Sequence, residues 1–254
     1  MLKILVLGGT IEARELSLAL VETGHEVTIS FAGLTRNPLT ADGVFLISGG
    51  FGGPQGLANY LSNTQTDILI DSTHPFANRM SRNAFIAGRL SNTEVLALRR
   101  PSWNRRPGDR WKNLDTLEKA VKRLRHAKPK RVLLALGGQG AEQFRKCRQH
   151  QFQARVLINS ATNLATSSAH RWKGLEIIRV DSRRTVTEEI NEICNYRPDL
   201  MIVRNAGGPL NAKLDAARRL SLPVWLIDRP PMPPVPLFSS PTALLKHLQN
   251  EKLA

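Results

Sequence analysis

The sequence predicts an α/β protein of two doubly wound domains, each built on a mainly parallel sheet. Three observations predict it. Short apolar runs recur along the 254-residue chain and alternate with longer stretches whose apolar residues return at helical spacing. Glycine pairs close several of these runs, at Gly8-Gly9, Gly137-Gly138 and Gly207-Gly208. Texture and charge both change at Arg99, about a hundred residues in.

The elements follow in order. Leu2–Leu7 is almost continuously apolar, the pattern of a parallel strand buried on both faces. After Gly8-Gly9-Thr10, the residues Ala13, Leu16, Leu20 and Val21 mark a helix that runs to Gly24. Strands are predicted at Glu26–Phe31, Val44–Ile47, Asp67–Ile70 and Glu94–Leu98, with helices near Gln55–Ser62 and Arg79–Leu90. This makes residues 1–98 a doubly wound domain. Arg99–Trp111 holds two prolines, a glycine and five arginines, and is predicted to be a crossover loop.

A second α/β domain is predicted over 99–236. Leu117, Ala120, Val121 and Leu124 set a helix, with Lys119, Lys122, Arg123 and Arg125 off its apolar stripe. Strands are expected at Val132–Leu136, Gln153–Ile158, Leu175–Val180, Leu200–Val203 and Pro223–Ile227. Helices fit at Ala141–Cys147, Val186–Cys194 and Asn211–Leu220. Pro230–Pro236 carries five prolines, and residues 237–254 are expected to form a C-terminal helix. Both sheets would therefore be Rossmann-like.

Composition narrows the function classes. Apolar residues make up 41% and charged residues 22%, which excludes a disordered or collagen-like chain. The formal net charge is +15, unevenly spread: −2 over residues 1–98, +10 over 99–131 and +7 over 132–254. A field of that sign concentrates anions, whether nucleic acid, anionic lipid or a polyacidic metabolite. Cys147 and Cys194 have no metal-ligand or CxxC spacing and are expected to be reduced thiols of a cytoplasmic protein. No apolar run approaches the roughly 20 residues of a membrane span, so no membrane association is expected.

The chemistry-bearing candidates sit at strand ends. Gly8-Gly9-Thr10, between a buried strand and a helix, lets a phosphate approach the backbone and the helix N-terminus. A plain βα turn would look the same. The end of the second strand lacks the acid that holds the ribose hydroxyl in NAD sites and offers Thr35-Arg36 instead. A hydroxyl and a guanidinium suit a 2′-phosphate, so NADPH is expected over NADH, although Arg36 taken alone also fits a solvated loop cation. Gly49-Gly50-Phe51-Gly52-Gly53 is open enough to lie against a ligand, and Gly50 is assigned to the cofactor. Asp71, Ser72, Thr73 and His74 follow the fourth strand, where polar groups face the ligand crevice, and are candidates for orientation or proton transfer; a structural histidine, with Asp71 and Pro75 capping the next helix, fits the same residues. Arg204-Asn205-Ala206-Gly207-Gly208 closes a strand of the second half and could be an anion site or a plain turn.

These segments together resemble the precorrin-6A reductase family of the cobalamin pathway, with its cobalt-precorrin-6A counterpart. The resemblance rests on ILVLGGTIEAR (4–14), AGLTRNP (32–38), GGFGG (49–53) and DSTHPFA (71–77). It continues through LRRPSW (98–103), GDRW (108–111), LLALGGQ (133–139) and RNAGG (204–208). The resemblance implies a two-domain reductase that uses NADPH to deliver hydride to a carboxylate-rich macrocycle held between its domains, yielding precorrin-6B. It assigns Gly8, Gly9, Thr10 and Arg36 to the cofactor. It assigns Asp71, Thr73, His74, Arg99, Arg100, Asn205, Gly207 and Gly208 to the substrate crevice. His74 is expected to assist protonation of the substrate, and Arg99 and Arg100 to pair with its carboxylates. Two positions depart from the family pattern: RNAGG stands where Lys-Asn-Ser-Gly-Gly is usual, and Leu210-Asn211 where a Thr-Tyr pair is common.

Two other functions fit parts of the pattern. One is an NADP-dependent reductase of another polyacidic metabolite. The other is a basic nucleic-acid-binding protein, since Trp103 and Trp111 flank arginines and Leu117–Arg125 is a basic helix. The glycine-rich strand ends are unnecessary for that role, so a tetrapyrrole substrate, no nucleic acid and a monomer or weak homo-oligomer are expected.

Overall fold

The computed structural model describes residues 1–31, 43–137, 140–158, 172–181, 184–209 and 211–251. Among the described residues, twelve strands form two six-stranded sheets, and every neighbouring pair is parallel. The chain divides into a unit made of Met1–Pro101 with Pro231–Ala254 and a unit made of Ser102–Pro230.

The first unit holds β1 (Lys3–Leu7), β2 (Glu26–Phe31), β3 (Val44–Ser48), β4 (Ile68–Asp71), β5 (Glu94–Leu98) and β12 (Leu237–Phe238). Their order is β3-β2-β1-β4-β5-β12, the 3-2-1-4-5-6 order of dinucleotide-binding sheets. Alternation along β1 explains the layers. Ile4 and Val6 enter one core cluster with Leu16 and Leu20 of α1 (Ile11–Glu22) and Leu244 and Leu248 of α7 (Pro241–Glu251). Leu5 and Leu7 enter another with Leu57 and Leu61 of α2 (Pro54–Thr64) and Ala84 and Ala87 of α3 (Asn78–Ser91). Both faces are covered, which is why the central strands are apolar throughout.

The second unit holds β6 (Trp111–Leu114), β7 (Arg131–Ala135), β8 (Gln151–Leu157), β9 (Leu175–Val180), β10 (Leu200–Arg204) and β11 (Val224–Ile227). The order is β6-β11-β10-β7-β8-β9, so the pattern around β7 and β10 repeats that around β1 and β4. One face packs on α5 (Val186–Tyr196) and α6 (Ala212–Arg219), through Ile193, Tyr196, Leu214 and Ala217. Leu117, Ala120 and Leu124 of α4 (Leu117–Arg125) are also buried.

Three expectations are corrected. The crossover segment does not stay irregular through Trp111, because Trp111 opens β6. Ala141–Lys146 is a 3₁₀ turn rather than an α-helix. The proline-rich tail Pro231–Pro236 belongs with the first unit, and the last segment adds a strand as well as a helix. Cys147 and Cys194 are both free thiols, the first buried and the second exposed. Among the described residues, no helix is long and apolar enough to cross a membrane.

Candidate functional site

In the first unit the strand order reverses between β1 and β4, the place where open α/β sheets form their ligand crevice. The turn after β1 is built for close approach. A Cβ on Gly8 would lie 2.8 Å from Ile29 Cγ1, so only glycine lets this turn pack on β2. Gly9 has φ +122°, and a Cβ there would meet nothing within 4 Å, so the backbone faces open space. Thr10 caps α1, its hydroxyl oxygen accepting the Ala13 N–H at 3.1 Å. The same hydroxyl donates to the Ser72 carbonyl at 3.0 Å. What Thr10 offers a phosphate is therefore backbone rather than side chain. Its hydroxyl fastens the turn after β1 to the turn after β4.

The second turn is shaped from inside. Asp71, 2% exposed, ends β4; its Oδ1 accepts the Thr73 N–H at 3.1 Å and the Thr73 hydroxyl at 2.6 Å. Its Oδ2 lies 3.7 Å from Arg99 Nη2. Arg99 corrects an expectation, because its side chain is only 4% exposed. The guanidinium donates to the Pro75 carbonyl at 3.3 Å and to Ser81 Oγ at 2.7 Å. Burial pushes it below its usual value, while the Asp71 charge pulls the other way. Its charge thus holds the 71–75 loop instead of facing solvent.

Two side chains at this edge are differently placed. His74 is exposed, and its Nδ1 accepts the Phe76 N–H at 3.2 Å. With Nδ1 accepting, the neutral ring carries its proton on Nε2. Arg100 reaches the first turn of α1, where its Nη1 lies 3.1 and 3.0 Å from the two Glu12 carboxylate oxygens. It offsets the one acid in that turn, at the helix end that favours anions. Across the glycine loop after β3, a Cβ on Gly49, Gly50, Gly52 or Gly53 would meet nothing within 4 Å. Thr35 and Arg36 lie outside the described residues.

In the second unit the corresponding edge is fastened differently. Asn205, 6% exposed, accepts the Trp103 N–H at 2.9 Å and donates to the Trp103 carbonyl at 3.3 Å. Both ends of its amide are used inside the fold, so a direct substrate contact gives way to a clamp on Trp103. The Trp103 indole N–H donates to the Gly208 carbonyl at 2.7 Å, and Arg229 donates to the carbonyls of Asn205 and Ala206, each at 2.9 Å. Gly207 and Gly208 both have positive φ, 68° and 87°. Burial lowers the Arg204 guanidinium from its usual value. Trp103 lies in a motif visible in the sequence; Arg229 and Ser81 carry no local signal and emerge only from the fold.

The glycine turn, the open loop after β3 and the capped N-terminus of α1 fit a dinucleotide: backbone donors, room, and a favourable dipole meet at one strand end. Comparison with known proteins agrees. The family model described as precorrin-6x reductase CbiJ/CobK matches residues 3–249. A precorrin-6A reductase of Rhodobacter capsulatus is 38% identical, covering 92% of this chain and 90% of its own. One of Rhodococcus erythropolis is 36% identical, with 92% of each covered. The solved structure of a CobK precorrin-6A reductase aligns with a TM-score of 0.85 at 33% identity, over 98% of this chain and 97% of that one.

Proposed function

We propose an activity that proceeds from one premise, that the chain belongs to the precorrin-6x reductase family. The activity is NADPH-dependent reduction of the corrin-pathway macrocycle precorrin-6A, or its cobalt form, to precorrin-6B. The observation that supports it best is the Thr10–Ser72 hydrogen bond, which joins a phosphate-type turn to a polar loop where the first sheet reverses order.

Residues 1–98 would form the NADPH side. The backbone of Gly8, Gly9 and Thr10 and the N-terminus of α1 would take the pyrophosphate. Gly50 would leave room beside it, and Thr35 with Arg36 would meet the 2′-phosphate and set the preference for NADPH. When bound, the nicotinamide supplies hydride from C4, and the protein supplies orientation and field.

The substrate side divides by exposure. His74 would assist protonation at a ring nitrogen beside the accepting carbon as an imidazolium, which passes on one proton and is left as the neutral ring. Gly207 and Gly208 would present backbone to the macrocycle, and Arg100 would bring charge. Asp71, Thr73, Arg99 and Asn205 would act as positioning residues, holding the loops on which those groups ride.

The test is loss of reduced-nicotinamide absorbance on adding precorrin-6A, with and without cobalt, and with NADPH against NADH. Turnover with NADPH and precorrin-6B as product is expected; NADPH binding without turnover on either macrocycle would reject the substrate. His74→Ala should slow single-turnover reduction by roughly a hundredfold, and an unchanged rate would remove the histidine from the chemistry. Arg36→Ala should weaken NADPH binding and leave NADH binding unchanged. Steep salt-dependent binding of oligonucleotides without NADPH binding would favour the nucleic-acid reading instead.

A further inference from the structure

A cavity of about 370 Å³ in the second unit lies under α5, lined by Gln153 and Tyr196 with Arg131, Glu176, Arg179 and Glu192. The lining runs from Arg131, which opens β7, along Glu176, Ile178, Arg179 and Val180 of the edge strand β9. Gly137 and Asn205, which follow β7 and β10, are not part of it.

Buried polar atoms without partners gather here. Tyr196 Oη and Gln153 Oε1 have no hydrogen-bond partner, although their residues are 7% and 6% exposed. Beside them on β8, Arg155 is 5% exposed and its Nη2 is likewise unpartnered. The rest of this cluster is well matched. Arg155 Nη1 meets Glu189 at 2.5 Å, its Nε meets Glu192 at 2.6 Å, and Gln153 Nε2 donates to Glu176 at 2.9 Å. Native folds satisfy nearly all such groups, so two orphans of complementary type lining one cavity call for a ligand or a water cluster. Burial pushes the Tyr196 phenol up to about 12, so it remains an O–H donor at any working pH.

The surrounding charges select the ligand. Arg131 and Arg179 face the cavity together with Glu176 and Glu192, so the lining carries both signs. A simple anion would meet two carboxylates and a simple cation two guanidiniums. Arg131 is held at 4.7 Å over the Tyr196 ring, beside the free hydroxyl.

We infer that this cavity binds a small zwitterion of the α-amino-acid class, its ammonium received by Gln153 Oε1 and Glu176 and its carboxylate by the Tyr196 hydroxyl and the arginines. The volume falls in the usual range for small-molecule sites. The ligand acts on the second unit without occupying either carboxyl-edge turn, so the inference stands apart from the reductase assignment.

The test uses the full chain, a panel of the proteinogenic amino acids, and acetate and methylammonium as half-ligand controls, read by thermal shift and calorimetry. At least one amino acid should raise Tm saturably, and neither half-ligand should match it. Tyr196→Phe and Gln153→Met should each weaken that amino acid roughly tenfold and leave NADPH oxidation in its absence unchanged. Should either variant fold poorly, Arg179→Glu at the exposed rim should lose the amino acid while keeping the Tm of the free protein. Absence of any saturable shift would assign the cavity to water and overturn the inference. Undiminished binding in Tyr196→Phe and Arg179→Glu would also overturn it.

Discussion

The two units wind five of their six strands in the same order, yet the segment after the first central strand differs between them. After β1 comes a twelve-residue α-helix capped by Thr10; after β7 comes a six-residue 3₁₀ turn, Ala141–Lys146. A 3₁₀ turn of that length has poorer hydrogen-bond geometry and too few aligned peptides to build a strong positive end. The first unit thus has an anion-attracting helix terminus where the second has none. The second unit concentrates its polar groups elsewhere, in a buried cluster of Arg155, Arg184, Glu189 and Glu192. One topology carries two distributions of polar groups, because these are set by the residues at strand ends and under helices.

Breaking that comparison begins with the buried cluster. Arg155→Met leaves Glu189 and Glu192 short of a cation and should destabilise the protein by about 3–5 kcal/mol, measured by urea unfolding, with NADPH affinity little changed in the folded fraction. Next comes backbone. Gly9→Ala forces a side chain onto φ +122°, a strain of about 1–3 kcal/mol, and should weaken NADPH binding on the order of tenfold or more. Gly137→Ala, at φ +72°, should lose similar stability but leave NADPH affinity intact; equal loss of affinity in both variants would erase the asymmetry. Thr10→Val removes both the cap and the tie to Ser72 and should cost about 1 kcal/mol, with a rise in the KM for NADPH.

The smallest effect is titration. The Tyr196 phenol lies above its ordinary value of 10.0, at about 12, mainly because it is buried; Arg131 opposes the shift, while Glu176 and Asp199 add to it. A folded value above the unfolded one means the stabilisation is whole below pH 10 and fades as pH rises toward 12. Between those limits Tm should fall less steeply for Tyr196→Phe than for the unaltered chain; parallel slopes would show that the phenol is not buried in solution.

Much of the fold was legible because parallel central strands are apolar on both faces. Glu26–Phe31 and Glu94–Leu98, both inside their sheet, are strands from end to end, as their patterning predicts. Two edge strands escape the same reasoning: β6 exposes Lys112 and Asn113, and β12 has only two residues, so neither makes an apolar run. At the candidate site, the glycine turn and the 71–75 loop were visible as composition at strand ends. Their internal bonding was not. Nothing local says that Arg99 turns inward to Asp71, that Asn205 clamps Trp103 across 102 positions, or that Arg229 reaches the carbonyls after β10. Those contacts depend on which strands become neighbours, which is a property of the sheet.

The strand pair β5–β12 bears on how the protein is made. Leu237 and Phe238 complete the first sheet, and Leu244 and Leu248 fill its core against α1, all from the far end of the chain. On a ribosome, Ser102–Pro230 emerges as an uninterrupted length, whereas the first unit still lacks its last strand and helix. The unit begun first is thus finished only after the second has been made, and its glycine turn waits until Leu248 has been read.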